Sequence, residues 1–139
     1  SAKEFNKKVF DKINETFETD INIDEVYKEK PKNIRIARKI FFNFDEYFSW
    51  PSLENEIVSK TGFCYGLDSH FGILVNGDVI PCCLDQNACV KLGNTNSTQI
   101  EDILNSKRVL DIQKGFKNNI LVEELCQKCE YRTRFDKKD

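Results

Sequence analysis

The 139-residue chain is long enough for one domain, with room for a shorter attached segment. Its net charge of −2 comes from acidic and basic residues mixed along the chain, which argues against the basic surface that binds nucleic acids or anionic membranes. No apolar run approaches the roughly 20 residues of a membrane span, and no signal-peptide pattern opens the sequence. We therefore expect a cytoplasmic protein that binds neither nucleic acid nor membranes.

The start of the chain has the features of a fragment. The sequence contains no methionine and begins with Ser1-Ala2, which we interpret as the remnant of a cleaved tag. The remainder is then expected to belong to a longer protein, and a catalytic motif of that protein could lie outside this sequence.

The first element predicted is an amphipathic helix over residues 3–18. An apolar residue recurs at every fourth position, which indicates a helix face that packs on a core; these residues are Phe5, Val9, Ile13 and Phe17. Residues 19–33 are polar and contain Pro31, so we expect a connection there.

A strand and a second short helix follow. Residues 34–42 alternate as a half-buried strand does, and residues 52–60 predict a short helix with Ser52 as its N-cap. Composition changes near residue 60, because every cysteine lies after that point. We expect the domain boundary there.

A β-hairpin is predicted over residues 70–83. Asn76-Gly77 is a strong two-residue turn signal and would pair Ile73 with Ile80. Alternation along the strand then places Cys82 and Cys83 on opposite faces. One thiol can face a buried site while the other packs as a small hydrophobic residue, and the neighbouring Pro81 suggests an edge strand.

Short helices are predicted after the hairpin. Residues 84–96 indicate a polar loop, and Thr98 with Glu101 forms a capping-box pattern for a helix that carries Ile100, Ile103 and Leu104. Residues 106–114 predict another helix that stops at Gly115. The expected fold is therefore α+β, with an N-terminal helix and strand, then a hairpin and short helices around a four-cysteine site.

The cysteines carry the main chemical signal, and there are six of them: Cys64, Cys82, Cys83, Cys89, Cys126 and Cys129. In a reducing compartment, clustered cysteines bind metals more often than they form disulfides. The Cys126-x2-Cys129 spacing lets two thiolates of one turn bind one metal or cluster. A thioredoxin-like motif would need this spacing at a helix start within a βαβ unit, and the sequence pattern here differs.

The run Cys64-x12-Gly77-x4-Cys82, followed by Cys126-x2-Cys129, resembles the SPASM/twitch domain of radical S-adenosylmethionine enzymes. The "CYGL" segment, the "LGN" step and the helix after it are similar in order, over residues 61–135. Full SPASM domains have further cysteines where this sequence has Phe135 and Asp139. The resemblance is therefore closer to the twitch arrangement, which implies one [4Fe–4S] cluster with four ligands: Cys64, Cys82, Cys126 and Cys129.

This resemblance implies a parent enzyme whose barrel carries a C-x3-C-x2-C motif and cleaves S-adenosylmethionine. That motif is absent here, so the fragment is not expected to be catalytic alone. Residues 1–60 would be the end of the barrel or a linker, residues 61–135 the auxiliary domain and residues 136–139 a tail. Expected partners are the barrel of the same parent chain and its peptide or small-molecule substrate.

The auxiliary cluster would support electron transfer or substrate positioning. An alternative is a zinc-binding structural or interaction module that uses the same four cysteines, and in an isolated domain zinc could replace the cluster or the site could be empty. A metal-free domain with reduced or disulfide-paired cysteines stays open as well.

Several other residues are weaker candidates. Lys128, Arg132 and Arg134 could tune a cluster or belong to an ordinary solvated tail. Cys83 and Cys89 remain unassigned, although Cys89 could serve a rearranged site. The remaining candidates have both a functional and an ordinary surface or turn interpretation: His70 as a metal ligand, and Asp68 and Asp85 as contacts to a substrate.

Overall fold

The computed structural model describes residues 2–45 and 47–136, and its contacts divide the chain into two compact units. The first unit ends at Tyr47 and the second begins at Phe48. Helices are combined with two small antiparallel sheets, which confirms the α+β class. The composition change near residue 60 falls inside the second unit. No helix in the described ranges is both long and apolar enough to cross a bilayer.

The first unit begins with α1 (Ala2–Phe17), as predicted. The predicted buried stripe is wrong, because Phe5 is 69% exposed and Phe17 is 37% exposed. Residues four apart drift around a helix by about 40° per step, so Phe5 and Phe17 lie about 120° apart, at the two margins of the stripe. Phe10 is the buried residue instead, and its ring lies 5.2 Å from that of Phe42 and 6.0 Å from that of Phe44.

The predicted connection contains a helix, α2 (Ile23–Glu29). The side chain of Asn22 caps it by accepting hydrogen bonds from the N–H groups of Asp24 at 2.8 Å and Glu25 at 3.4 Å. An asparagine followed three residues later by glutamate is a start signal that the sequence analysis missed.

The strand predicted over residues 34–42 is a hairpin of β1 (Asn33–Ala37) and β2 (Ile40–Asn43). Ile34 pairs with Phe42 across it. The turn at Arg38-Lys39 contains none of the residues that mark turns, and the apolar alternation continues through it. The sequence therefore hides the break between the two strands.

The second unit contains a three-stranded sheet of β3 (Gly72–Ile73), β4 (Asp78–Ile80) and β5 (Gly93–Asn94), in the order β3-β4-β5. The predicted hairpin is present, but its register is wrong by one residue: Ile73 pairs with Val79. The N–H of Leu74 donates to the carbonyl of Asp78 at 2.9 Å, which leaves a three-residue loop. Gly77 ends that loop with φ of 87°, a conformation that favours glycine.

The position predicted for β4 is also wrong, because β4 is the central strand and not an edge. The "LGN" step, which was expected to be loop, supplies β5 on its open side. Pro81 follows the last residue of β4, so its missing N–H removes no hydrogen bond from the sheet. All three residues of β4 are buried.

Helices complete the second unit: α3 (Ile100–Leu104), α4 (Lys107–Lys117), α5 (Glu124–Gln127) and a 3₁₀ helix (Tyr131–Phe135). The residue at the N-cap of α3 is Gln99. The predicted capping role of Thr98 is therefore wrong. The helix predicted over residues 52–60 is absent; Ser52 instead begins a single turn, in which its carbonyl accepts from the N–H of Asn55 at 3.1 Å.

Gly115 does not end α4 as predicted, because the helix continues through it to Lys117. A β-carbon at Gly115 would lie 2.6 Å from Cγ2 of Val122 and 2.9 Å from the carbonyl oxygen of Ile120. Glycine is therefore required here for close packing of the returning chain. The core of this unit consists of Leu67, Val90, Val109, Ile112, Phe116, Leu121 and Leu125.

Candidate metal centre

Three segments of the second unit carry the four predicted ligands. Cys64 precedes β3, Cys82 follows β4, Cys126 lies in α5, and Cys129 lies between α5 and the 3₁₀ helix. Each is partly buried, and Cys64 and Cys126 pack against the apolar core. The core therefore positions the segment before the sheet and the C-terminal cysteine pair.

Gly66 lies where the segment of Cys64 meets the segment of Cys82. A β-carbon on this glycine would lie 3.8 Å from Sγ of Cys64, 3.6 Å from Cβ of Cys82 and 3.1 Å from the carbonyl oxygen of Pro81. The two cysteines thus flank the same small space. A larger residue at Gly66 would occupy it.

Electrostatic interactions connect all four thiols. The pKa of Cys126 is raised first by burial and then by Cys82, Cys64 and Cys129. Burial likewise raises the pKa of Cys82 to about 11, with further contributions from Cys64, Cys129 and the neighbouring Cys83. Burial also raises the pKa of Cys64 and of Cys129. The four form one group, and without a bound cation their thiols are protonated at neutral pH.

Backbone N–H groups oppose this effect by favouring thiolates. The N–H of Gly66 donates to Sγ of Cys64 at 3.5 Å, and together with the N–H of Tyr65 it lowers the pKa of that thiol. The N–H of Leu84 has the same lowering effect on the pKa of Cys82. The N–H groups of Arg132 and Tyr131 act on Cys129. Hydrogen bonds to sulfur of this kind are a common feature of iron–sulfur sites.

Two kinds of metal site, a zinc ion and an iron–sulfur cluster, use four cysteine thiols in different arrangements. In the described residues, no three side chains of His, Cys, Asp or Glu converge as a single metal ion requires. A zinc ion with Zn–S bonds of about 2.3 Å would hold tetrahedral sulfurs about 3.8 Å apart. In an iron–sulfur cluster each cysteine binds a different iron, so the sulfurs are separated by the body of the cluster. Four soft sulfur donors suit either kind of site.

The two remaining cysteines are exposed. The prediction that Cys83 packs as a small hydrophobic residue is wrong, because β4 ends at Ile80 and strand alternation does not continue to Cys83. Cys89 lies in a loop that the buried carboxylate of Asp85 closes. This carboxylate accepts from the N–H of Cys89 at 2.7 Å and from that of Val90 at 2.8 Å.

The other candidates lie in ordinary turn or surface environments. Asp85 has the turn contacts just described, and Asp68 is exposed. His70 is also exposed, and its Nδ1 lies 2.9 Å from Oγ of Ser69. Its ring has no cysteine among its hydrogen-bond partners in the described part of the chain.

The basic residues near Cys129 do not form a solvated tail. Arg132 is only 2% exposed. The ammonium of Lys128 donates to the carbonyl of Leu53 and lies 2.8 Å from a carboxylate oxygen of Glu124. Arg134 is exposed, but its guanidinium lies 3.7 Å from the ring centroid of Tyr131. Residues 137–139 of the predicted tail lie outside the described residues.

A series of aromatic rings, which the sequence analysis missed, borders the cysteines. Neighbouring rings in the series have centroids 4.8 to 5.8 Å apart: Phe63, Tyr65, Phe135, Tyr131, Phe48 and Trp50. Tyr65 follows Cys64 directly, and Tyr131 is two residues after Cys129. The rings therefore pack the segments of these two cysteines together. Phe135 belongs to this packing at a position where full SPASM domains have a cysteine.

Comparison with known proteins agrees with this site. Residues 64–130 match the family model of SPASM, an iron–sulfur cluster-binding domain. The match begins at Cys64, ends just after Cys129 and includes all six cysteines. No curated protein and no solved structure matches the chain significantly. The segment 64–130 is therefore similar to SPASM iron–sulfur cluster-binding domains, as its cysteine spacing predicted.

Proposed function

We propose that residues 61–135 hold one [4Fe–4S] cluster and form the auxiliary domain of a radical S-adenosylmethionine enzyme. The proposed ligands are Cys64, Cys82, Cys126 and Cys129. The observation that carries this proposal is the match of residues 64–130 to the SPASM family model, supported by the partial burial of all four thiols and by the space at Gly66 that Cys64 and Cys82 share. Cys83 and Cys89 are exposed and would not be ligands.

The donor set supports a single cluster. Four cysteine thiolates complete the usual shell of a [4Fe–4S] cluster and leave no iron open for a substrate. Phe135, at the position of a later SPASM cysteine, packs on Tyr65 and Tyr131. A completed shell favours electron transfer in the parent enzyme over direct binding of substrate to iron.

The chemistry of the parent enzyme would come from elsewhere. A bound cluster would supply one-electron redox capacity, and the residues of this domain would hold it, donate N–H groups to its sulfurs and limit water. The proposed partners are the barrel of the same parent chain and its peptide or small-molecule substrate. Residues 1–60 would then belong to the barrel end or linker.

Anaerobic reconstitution of the full chain with ferrous iron and sulfide tests the proposal. We expect about four irons and four sulfides per chain, with the visible absorption of an iron–sulfur cluster. Single serine substitutions at the four proposed ligands should each remove most of that absorption. The matched controls C83S and C89S replace exposed thiols and should leave the iron content unchanged.

Two results would overturn the proposal. One is tight binding of one zinc per chain with no uptake of iron, which would favour a structural zinc module. The other is a loss of iron in C83S or C89S equal to that in C126S, which would mean a different ligand set.

A further inference from the structure

Arg132 is a buried cation beside the cysteine site. Its residue exposure is 2%, and it follows Cys129 by three positions in the 3₁₀ helix. Nη1 donates to Oδ1 of Asp136 at 2.6 Å, but the side chain of Asp136 is 46% exposed. Nε is buried without any hydrogen-bond partner, the only side-chain nitrogen or oxygen in this condition within the described ranges.

Packing fixes the position of this guanidinium. A β-carbon on Gly62 would lie 1.9 Å from Nη1, 2.5 Å from Cζ and 3.1 Å from Nε of Arg132. The guanidinium therefore occupies the space where a side chain at Gly62 would begin. Gly62 is two residues before Cys64, so Arg132 lies between the segment of Cys64 and that of Cys129.

The charge of Arg132 acts on both neighbouring thiols. Its guanidinium is close enough to the thiols of Cys64 and Cys129 for its positive charge to act on both. Among the described residues, this guanidinium pairs with the solvent-exposed Asp136 while its buried Nε–H is unpaired, which is an unfavourable environment for a buried cation. A second, more buried anion would relieve it. A cluster bound by four thiolates carries net negative charge, which increases by one electron on reduction.

We propose that Arg132 is the counter-charge of the cluster, with its unpaired Nε–H and its positive charge stabilising the reduced form. This inference rests on the proposed function. Arg132 would then be a positioning residue that tunes the reduction potential of the cluster. Hydrogen bonds to sulfur and nearby charges are known to set this potential. The wild-type potential is accordingly higher than that of a site without this cation.

The two other basic residues of this segment are held differently. Lys128 contacts the carbonyl of Leu53 and pairs with Glu124. Arg134 lies over the rings of Tyr131 and Phe48, on the exposed side of the 3₁₀ helix. Arg134→Gln therefore removes the same formal charge from the same helix without altering the buried guanidinium, and it serves as the matched control.

The test is a redox titration of the reconstituted full chain, monitored by visible absorption and by electron paramagnetic resonance. Arg132→Met removes the charge and keeps a long apolar chain, so its reduced-to-oxidised ratio at a given potential should fall at least tenfold, which is about 59 mV for one electron. Arg132→Lys keeps the charge but has no Nε–H, and a smaller shift of the same sign is expected. Arg134→Gln should match the wild type.

The outcomes separate the two proposals. A wild-type chain that takes up no iron contradicts the proposed function and not the role of Arg132 alone. A wild-type potential in both Arg132 variants, at full iron content, would overturn the counter-charge. Circular dichroism and melting of the cluster-free variants report whether each one folds. If Arg132→Met does not fold, a wild-type potential in Arg132→Lys still refutes the Nε–H contact.

Discussion

Arg108 and Glu123 form a two-point ion pair that connects α4 to the residue just before α5. Nε and Nη2 of Arg108 lie 2.7 and 2.8 Å from the two carboxylate oxygens of Glu123, and Nη1 donates to the carbonyl of Lys91 at 2.8 Å. Because α5 carries Cys126, this pair fixes the start of that cysteine's segment relative to the core helix.

Loss of this pair should weaken the domain. We expect Glu123→Gln to lower the free energy of unfolding by about 1 kcal/mol, because Arg108 is partly exposed and water screens the interaction. Urea unfolding of the cluster-free chain measures it. Lys107→Gln, which breaks an exposed ion pair with Asp111 on α4, is the control and should have almost no effect. Equal effects of the two substitutions would contradict this prediction.

Asp78 predicts a pH dependence of stability. Lys91 lowers the pKa of this carboxyl most strongly, with hydrogen bonds from Asn94 and Asn76. Because the folded pKa is lower than the unfolded one, the ionised carboxylate stabilises the fold above about pH 4, and this contribution disappears as pH falls through the folded pKa. Melting temperatures of the cluster-free wild type and Asp78→Asn should therefore differ at pH 7 and converge in acid. A difference in melting temperature that grows in acid would contradict a lowered pKa of Asp78.

Gly115→Ala should destabilise the fold although it adds a better helix former. Helix propensity alone favours alanine by about 0.5 to 1 kcal/mol. The new β-carbon would meet Val122 and the backbone of Ile120, and we expect a net loss of about 1 to 3 kcal/mol. Denaturant unfolding is the measurement, and Lys114→Ala on the exposed side of α4 is the control. A more stable Gly115→Ala would mean that the returning chain can move away.

Alkylation should divide the six cysteines into two classes. In the cluster-free chain at neutral pH, Cys83 is exposed and should react with iodoacetamide fastest. Cys82 and Cys126 should react slowly, because burial limits access and raises their pKa values. The rate at Cys82 should increase with pH until about 11. Mass spectrometry of peptides from timed reactions gives each rate, and fast labelling of Cys126 would contradict the site geometry.

The SPASM match and the presence of the hairpin were predictable from the sequence, because cysteine spacing and the Asn76-Gly77 turn are local signals. The register of the hairpin was not, since the choice between a two- and a three-residue loop depends on the contacts that Gly77 makes with the segment after β5. The prediction for Cys83 failed for a separate reason: the chain leaves the sheet after Ile80, so strand alternation does not extend to this residue.

The basic residues after the cysteine pair show a second limit. In the sequence, Arg132 and Arg134 look alike, two charges at the end of a polar segment. Their different environments depend on Gly62, which lies 70 positions earlier and provides the space for one guanidinium only. Similarly, the burial of Phe10 depends on β2, whose start has no turn residue to mark it.

The distribution of the four proposed ligands over three segments has a consequence for biosynthesis. Seventeen residues separate Cys64 from Cys82, and 43 separate Cys82 from Cys126. A group bound by all four closes these loops and restricts the unfolded chain as a cross-link does, with a loop-closure entropy that increases only slowly with length. Cys126 and Cys129 leave the ribosome after the sheet and α4. The proposed ligand shell would therefore be complete only when the rest of the domain has been synthesised and is able to fold, and insertion of the group would be the closing step of its maturation.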